Sequence, residues 1–233
     1  ASSWSGSGQD PDSEKYNASA GVSIIDYYDS EYGGSAITLN HSLGAAPEFA
    51  IAFDYEGYTS GHYVWHKDLS SGNYLTLSSN SSQSSDTDYF PASPATATTF
   101  TLGTSISSGT QSHVALFTSV EGMVKIGSWV GNGDDDGPVV HCGFRPSLIL
   151  CKAVNRSNSW YMWDDQRDGY NVTDAGLWAD LNTAESNAAT NKVDILSNGF
   201  KLRGSGNGTN SSSSNNYIFI AWAHSPFKYA NAR

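Results

Sequence analysis

The sequence is poor in charged residues, and basic side chains are especially scarce. Charged residues make up 15% of the chain, against about a quarter in an average globular protein. Lysine and arginine together number 12, none is adjacent to another, and the formal net charge is −11. Because contact with phosphate groups requires clustered lysine and arginine, this composition argues against binding to nucleic acid or to an anionic membrane.

Long apolar segments and familiar catalytic motifs are also missing. The longest apolar run, Tyr217–Ala223, falls well short of the roughly 18 residues that a membrane-spanning helix needs. The chain has no nucleophile elbow, no phosphate-binding GxxxxGK[ST] loop, no HExxH and no CxxC. We therefore expect no membrane insertion, no cofactor and no enzymatic activity.

Apolar and aromatic residues are plentiful and occur in short alternating runs. Hydrophobic residues make up 38% of the chain and aromatic residues 12%, which is enough to build a core. Clusters of Gly, Ser, Asn, Asp and Pro separate the runs, which show no sustained helical period. This pattern predicts an all-β protein built as an antiparallel, jelly-roll-like β-sandwich. The predicted strands are Ala36–Asn40, Glu48–Phe53, Gly61–His66, Tyr74–Ser78, Thr98–Gly103, His113–Ser119, Val139–Cys142, Ser147–Val154, Trp160–Asp164, Gly176–Leu181, Gly199–Arg203 and Tyr217–Ala223.

The two halves of the chain share a series of landmarks in the same order. Alternating strands from Val22 and from Val124 are each followed by a Gly/Asp-rich turn and a Gly-x-x-Pro step. Further along, the run Tyr-Val-Trp at 63–65 corresponds to Tyr-Met-Trp at 161–163. The pattern indicates a tandem duplication of one unit of about a hundred residues. We therefore expect an extended lead-in at residues 1–20, a first repeat at 21–123 and a second repeat at 124–233.

Two polar loops of low complexity occupy different places in the two halves. They are Ser78–Asp88 and Gly204–Asn216, and both consist largely of Ser, Asn and other small residues. Because such segments bury little apolar surface, we expect both loops outside the core.

Two cysteines, Cys142 and Cys151, lie on either side of a tight strand-turn-strand segment. The first half carries Leu43 and Ala52 at the corresponding places, which favours two buried free thiols. A disulfide across the turn is the alternative, and the sequence does not decide between the two.

An acidic turn at Gly131–Gly137 contains the candidates for a metal site, which are Asp134, Asp135 and Asp136. Their carboxylates could offer oxygen ligands to calcium, but three adjacent acids on extended backbone cannot all point the same way. We therefore favour a solvated turn over a metal site.

The densest set of titratable groups is Asp164–Asp168, beside several aromatic residues. Paired carboxylates near aromatic rings are what a glycosidase needs, but strand alternation places Asp164 and Asp165 on opposite faces. Aromatic rings on or beside polar loops can instead hold a sugar or a protein ligand. The candidate ligand-binding residues are Tyr55, Tyr58, Trp160, Asp164, Asp168 and Tyr170.

Six segments carry a resemblance to a known family. In the second half they are VGNGDDDGPVVHCGFRPSLILCK, VDILSNGFKLRGSGNGTN and YIFIAWAHSPFKYANAR, and in the first half NHSLGAAPEFAIAF, YVWHKDL and NYLTL. Over roughly residues 21–233 the chain closely resembles a domain that recurs in tailed-phage genomes, especially those of phages of aquatic bacteria. The resemblance implies a virion structural protein of a tail fibre or spike, with a separate N-terminal attachment region. It implies no catalytic or ligand residue, and the insertions DYEGYTSGHY and SSNSSQSSDTD stand where variable recognition loops are expected.

These observations predict a non-enzymatic module of a phage tail fibre or spike. It would act outside the cell, as part of the virion tail, and its loops would recognise a host-surface glycan or protein. We expect a homo-oligomer, a trimer, in contact with other virion proteins, so that several weak sites act together. The alternatives are a decoration or filament subunit that assembles through residues 1–20, and a glycan depolymerase centred on Asp164–Asp168.

Overall fold

The structure is a computed structural model that describes residues 8–28, 35–54, 61–106, 111–187, 190–212 and 215–224. Over these residues the regular secondary structure is antiparallel β-sheet, apart from a 3-10 turn at Ala18–Ala20. The predicted all-β class is therefore confirmed. No helix in the described part of the chain is long and apolar enough to cross a membrane.

The chain divides into two compact units. The first unit comprises Ala1–Thr76 and Gln83–Thr118, and the second comprises Leu77–Ser82 and Ser119–Arg233. The first unit thus includes the N-terminal segment, and the short segment 77–82 belongs to the second unit although it lies in the first half of the sequence.

The first unit is a two-layer antiparallel sandwich. Its strands are β1 (Ser13–Asn17), β2 (Val22–Tyr28), β3 (Ile37–Asn40), β4 (Phe49–Asp54), β5 (His62–His66), β6 (Asn73–Thr76), β7 (Ser84–Ser85), β8 (Thr99–Leu102) and β9 (Gln111–Phe117). One sheet has the order β1-β2-β9-β4-β5-β6-β7, and β3 pairs with β8 in the other layer. Strand alternation selects the core: Ser23, Ile25 and Tyr27 of β2 are buried, whereas Ile24, between the first two, is 45% exposed.

The second unit is also a two-layer sandwich. Its strands are β10 (Val124–Val130), β11 (Val139–His141), β12 (Pro146–Ala153), β13 (Tyr161–Asp164), β14 (Ala175–Trp178), β15 (Ser186–Asn187), β16 (Val193–Leu196), β17 (Gly199–Leu202) and β18 (Asn216–Ala223). The larger sheet has the order β10-β18-β12-β13-β14-β15, and β11, β17 and β16 form the other layer. The core between the layers is aromatic, with Trp129 stacked on Tyr217 at a ring distance of 5.2 Å.

The two larger sheets have the same strand order. From β2 the first runs β2-β9-β4-β5-β6-β7, and the second runs β10-β18-β12-β13-β14-β15. The residue pairings correspond too, since Val22 pairs with Phe117 at the start of β2 and Val124 pairs with Trp222 at the start of β10. In the smaller layers, β3 pairs with β8 as β11 pairs with β17. The two larger sheets therefore share one strand topology.

The N-terminal segment from Gly8 onward is docked on the first unit. Its strand β1 adds to the edge of the sheet beside β2. Gly8, ahead of that strand, is bonded to the buried side chain of Asn40. This side chain accepts a hydrogen bond from Gly8 N at 2.9 Å and donates one to Gly8 O at 2.8 Å. Gly21, with a φ of 67° in the left-handed region that favours glycine, then turns the chain into β2. Trp4, in the same expected lead-in, lies outside the described residues.

The polar loop 204–216 packs, in its described residues 204–212, over the core of the second unit. Thr209 has no exposed surface, and its carbonyl accepts a hydrogen bond from the indole of Trp129 at 3.0 Å. A Cβ atom on Gly208 would lie 2.2 Å from the Tyr161 ring, so this close approach requires glycine. The prediction that this loop lies outside the core was wrong, because small residues with satisfied backbone groups can cover a core as apolar side chains do.

Both cysteines are buried free thiols in the second unit, which confirms the favoured interpretation. Cys142 is 7% exposed and Cys151 is fully buried. Burial raises the pKa of Cys142 to about 12 and also raises the pKa of Cys151. Leu43 and Ala52, at the corresponding places of the first unit, are buried as well, so the thiols occupy positions that suit small apolar groups.

A lysine is buried in the larger sheet of the second unit. Lys152 on β12 has no exposed surface, and its Nζ donates hydrogen bonds to Ala153 O at 2.9 Å and to Asn80 O at 3.4 Å. Loss of water lowers the pKa of Lys152 to about 8, although the nearby carboxylate of Asp180 acts in the opposite direction. The ammonium group is therefore held by backbone carbonyls at the cost of its hydration.

We expect neither thiol to react with DTNB at pH 8 while the protein is folded. The thiolate is the reactive form, and a pKa of about 12 in place of 9.0 lowers the thiolate fraction of Cys142 about a thousandfold. A thiol titration in buffer should therefore release almost no product, and the same titration in guanidinium chloride should detect both cysteines. Reaction in buffer at the rate of an unfolded peptide thiol would contradict the buried placement.

We expect the contribution of Lys152 to the free energy of unfolding to rise as the pH increases from about 8 to 10.5, the folded and ordinary pKa values of this side chain. In that window the unfolded chain binds a proton that the folded chain has released, which stabilises the fold by up to about 1.4 kcal/mol per pH unit. The two buried thiols act in the opposite direction above their ordinary pKa of 9.0, so the quantity to measure is a difference. The free energy of urea unfolding of the wild type minus that of Lys152→Met should rise across this pH range. Lys125→Met is the matched control, since it removes a partly exposed lysine of β10 and should keep the pH dependence of the wild type. Equal pH slopes for Lys152→Met and the wild type would show that this lysine titrates normally.

Candidate functional site

The residues predicted to bind a ligand fall into three groups according to where the structure places them. Tyr55 and Tyr58 lie outside the described residues. Trp160 is 1% exposed, so its ring is not available at the surface. Asp164 is the last residue of β13, and Asp168 and Tyr170 lie in the loop that follows it, between β13 and β14.

The loop begins with a turn centred on an aspartate. Asp164 ends β13, and its Oδ1 accepts hydrogen bonds from Gln166 N and Arg167 N, both at 3.0 Å. Its Oδ2 accepts a hydrogen bond from Arg167 Nε at 2.6 Å. Arg167 also donates to Glu185 at 2.7 Å. Asp164 is therefore committed to holding the turn.

The far part of the loop is attached to β16. The side chain of Asn171 imitates a strand residue, since its Oδ1 accepts from Ile195 N at 2.9 Å and its Nδ2 donates to Ile195 O at 3.0 Å. Thr173 and Val193 exchange two further backbone hydrogen bonds. The loop is thus fixed along a neighbouring strand as well as at its origin.

Between these attachments the loop carries a highly exposed ring. Asp168 closes the loop on itself, because its Oδ2 accepts hydrogen bonds from Asp174 N and Ala175 N, both at 2.9 Å. Tyr170, near the tip, is 91% exposed. An aromatic side chain on a loop that is already ordered can contact a ligand at a low cost in conformational entropy.

A polar cleft of about 230 Å³ lies beside Tyr170. Asp165 forms part of its lining with a side chain that is only 2% exposed, and Asp165 Oδ2 lies 3.8 Å from Arg145 Nε. The same carboxylate is hydrogen-bonded to His224 Nδ1. Arg145 also donates to Ile195 O at 3.2 Å, while its side chain remains 41% exposed. The lining residues are Arg145, Asp165, Asp168, Gly169, Tyr170, Asn171 and Thr173.

This arrangement suits the recognition of hydroxyl groups better than bond cleavage. The Arg145 guanidinium, 41% exposed, supplies hydrogen-bond donors, and the Tyr170 ring supplies an apolar face. The Asp165 carboxylate, 2% exposed, holds the guanidinium in place. A glycosidase needs two carboxyl groups directed at the substrate. The aspartates of this loop are instead held by the arginine, histidine and backbone partners described above.

The acidic turn before β11 is tied down by hydrogen bonds. Asp134 Oδ1 accepts from Asp136 N at 2.9 Å, and Asp135 Oδ1 accepts from Ser205 N at 3.0 Å. Asp136 pairs with Lys201 at 2.5 Å, and that hydrogen bond lowers the pKa of Asp136. Among the described residues, no group of three or more His, Cys, Asp or Glu side chains is placed to hold a metal ion.

Two charged residues of the cleft, Arg145 and Asp165, were not among the predicted ligand-binding residues. Their proximity comes from the pairing of β12 with β13, which brings the start of one strand beside the end of the next. A comparison of the two halves is the signal that could have found them. Arg145 stands where the first half has Ala46, and Asp165 stands where it has Lys67.

The fold and the cleft define an all-β protein of two sandwich units, with a polar surface cleft in the second. The chain belongs to the DUF7483 family, described as a domain of unknown function, whose model matches residues 6–226. No curated protein and no solved structure matches the chain.

We expect Asn171→Ala to loosen the loop between β13 and β14. The variant leaves the buried Ile195 N without its side-chain partner, at a cost of about 1–3 kcal/mol, while Ile195 O keeps the hydrogen bond from Arg145. Hydrogen-exchange mass spectrometry should show faster exchange in the peptides that cover 165–174 and Ile195. The control is Asn182→Ala, at an exposed position beyond β14. Unchanged exchange in Asn171→Ala would mean that the side chain does not hold the loop.

Proposed function

We propose that the protein is a non-enzymatic structural module of a phage tail fibre or spike that binds a host-surface glycan. The observation that carries the binding role is the 91% exposed ring of Tyr170 on a fixed loop beside the Arg145–Asp165 ion pair. The virion setting rests on the resemblance of six segments of the chain to a domain of tailed-phage genomes. In that setting the protein would act in the virion tail, outside the cell.

A glycan fits the cleft better than a protein ligand does. The cleft measures about 230 Å³, so it suits a small group such as a sugar unit. Stable protein recognition instead buries roughly 800 Å² on each partner. Sugar rings present an apolar face to aromatic side chains and hydroxyl groups to charged ones, and Tyr170 and Arg145 supply these two kinds of contact.

A tandem duplication is part of the same proposal. It is supported by the common strand order of the two larger sheets and by the matching pairings at the starts of β2 and β10. Two copies of one stable sandwich would allow the loops to diverge in each copy while the core is retained.

Assembly as a trimer, in contact with other virion proteins, would compensate for the weakness of a single small site. Several linked sites gain affinity through their effective concentration, without any new contact. The alternative is a decoration or filament subunit that exchanges residues 1–20 with a neighbour. Against it stands the pairing of Ser13–Asn17 with β2 of its own chain.

We expect the purified protein to bind a subset of glycans on an array, and Tyr170→Ala to weaken that binding at least about tenfold, the equivalent of 1.4 kcal/mol. Tyr16→Ala is the matched control, because Tyr16 is 56% exposed on β1 and lies away from the cleft residues in sequence. Light scattering of the same sample should give the mass of a trimer.

Three results would count against the proposal. Absence of binding to glycans and to host cells would favour the decoration or filament subunit. Equal losses in Tyr170→Ala and Tyr16→Ala would remove the cleft from the binding role. Release of reducing ends from a bound glycan, abolished in Asp164→Ala and Asp168→Ala, would favour the depolymerase.

A further inference from the structure

The first unit has a cleft of its own, which contains none of the predicted ligand-binding residues. Its volume is about 370 Å³, within the roughly 300–1,000 Å³ that is usual for small-molecule sites. It opens where β4 begins and β5 ends, and the segment 92–95 forms another part of its wall. The residues that matter most for its chemistry are Pro47, Glu48, Trp65, Lys67 and Pro94.

This cleft occupies the same place in its unit as the Tyr170 cleft does in the second. In the first unit Lys67 N donates to Glu48 O at 2.9 Å, just beyond the paired ends of β4 and β5. In the second unit Asp165 N donates to Ser147 O at 3.1 Å, beside the paired ends of β12 and β13. Each cleft is therefore built at the same end of the corresponding strand pair.

Each cleft also contains an ion pair, but the positive and negative residues exchange places between the two clefts. In the first unit the carboxylate, Glu48, directly precedes β4 and the cation, Lys67, follows β5, with 3.0 Å between Nζ and Oε1. In the second unit the cation, Arg145, precedes β12 and the carboxylate, Asp165, follows β13. Both members of the Lys67–Glu48 pair are partly exposed, and such pairs contribute little to stability, so their donors and acceptors can serve a ligand without a large loss to the fold.

An aromatic ring accompanies the ion pair in this cleft as well. Trp65 is partly buried, and its ring meets Phe100 edge to face at 5.7 Å. The ring is therefore held by the core on one side while it lines the cleft on the other. The wall opposite is backed by hydrogen bonds, since Thr101 N donates to Pro94 O at 2.7 Å. Trp65 is thus oriented before any ligand arrives, which reduces the entropic cost of binding.

We propose that the Trp65 cleft is a second glycan site, which takes a neutral hexose unit. The partly exposed ring of Trp65 suits the C–H face of a sugar ring, with the buried Pro47 and Pro94 behind the cleft surface, and the Lys67–Glu48 pair suits its hydroxyl groups. A neutral sugar is favoured over an acidic one because the charges of the pair offset each other and the chain carries a net charge of −11. One chain then offers two sites of related chemistry, and each can be tested separately from the other.

The test is a titration of the ¹⁵N-labelled protein with cellohexaose, maltohexaose and laminarihexaose, followed through the indole N–H signals of its 7 tryptophans. The signal missing from Trp65→Phe identifies Trp65. We expect that signal to shift saturably with at least one of the three neutral oligosaccharides. The signal of Trp163, the fully buried counterpart in the second unit, should stay in place.

Lys67→Ala provides a second test that leaves the core untouched, and it should weaken the binding seen at Trp65 at least about threefold. Tyr170→Ala should leave the Trp65 titration unchanged.

The outcomes separate the two proposals. If a glycan binds in the Tyr170 cleft while none of the three oligosaccharides shifts the indole signal of Trp65, the second site is refuted and the proposed function stands. If Trp65 responds to trigalacturonate and not to the neutral sugars, the neutral class is wrong. The converse result is a response at Trp65 together with array binding by Tyr170→Ala that equals the wild type. That result would refute the proposed Tyr170 site and leave the Trp65 site standing.

Discussion

Each unit depends on one strand pairing in its larger sheet, in which the first long strand of the unit pairs with the last strand of the unit. β2 pairs with β9 and β10 pairs with β18, so residues from the two ends of a unit lie side by side in its sheet. Such pairing closes long loops at a cost in entropy, which is offset only when a whole face of the sheet is buried. In the second unit that face is covered around the stacked rings of Trp129 and Tyr217. The clefts lie at strand ends, and their geometry therefore depends on the register set by this closure.

Polar groups near the core are satisfied by nearby backbone, and this makes short polar loops rigid. Asn171 bonds to the backbone of Ile195, and Asn40 bonds to the backbone of Gly8. The amide of Asn40 is buried and would be costly without such partners, and Asn171 is bonded to both backbone groups of the buried Ile195, so each side chain specifies one arrangement of its loop. The same principle allows the Gly- and Ser-rich loop 204–216 to cover aromatic residues. Rigid loops with an exposed ring are what a binding surface requires.

Much of the fold could be predicted from alternation and turn residues. All twelve predicted strands are present in the structure, because Val, Ile and aromatic residues at every second position bury one face of a sheet. The two-residue strands β7 and β15 have no such pattern, since their pairing follows from the strand beside them. Of the site, Asp168 and Tyr170 could be found as a polar and an aromatic residue in one loop. Trp160 was chosen by the same reasoning, but tertiary packing buries its ring.

By itself the sequence determined the all-β class, the positions of most strands and the parallel order of landmarks in the two halves. These features are local or periodic, and they follow from side-chain alternation and from the turn preferences of Gly, Pro, Asn and Asp. Only the tertiary structure decided that Arg145 meets Asp165 and that Glu48 meets Lys67. Each pair joins the start of one strand to the end of its neighbour, and their proximity depends on sheet register. Register is set by the burial of the whole sheet face, which no short stretch of sequence contains.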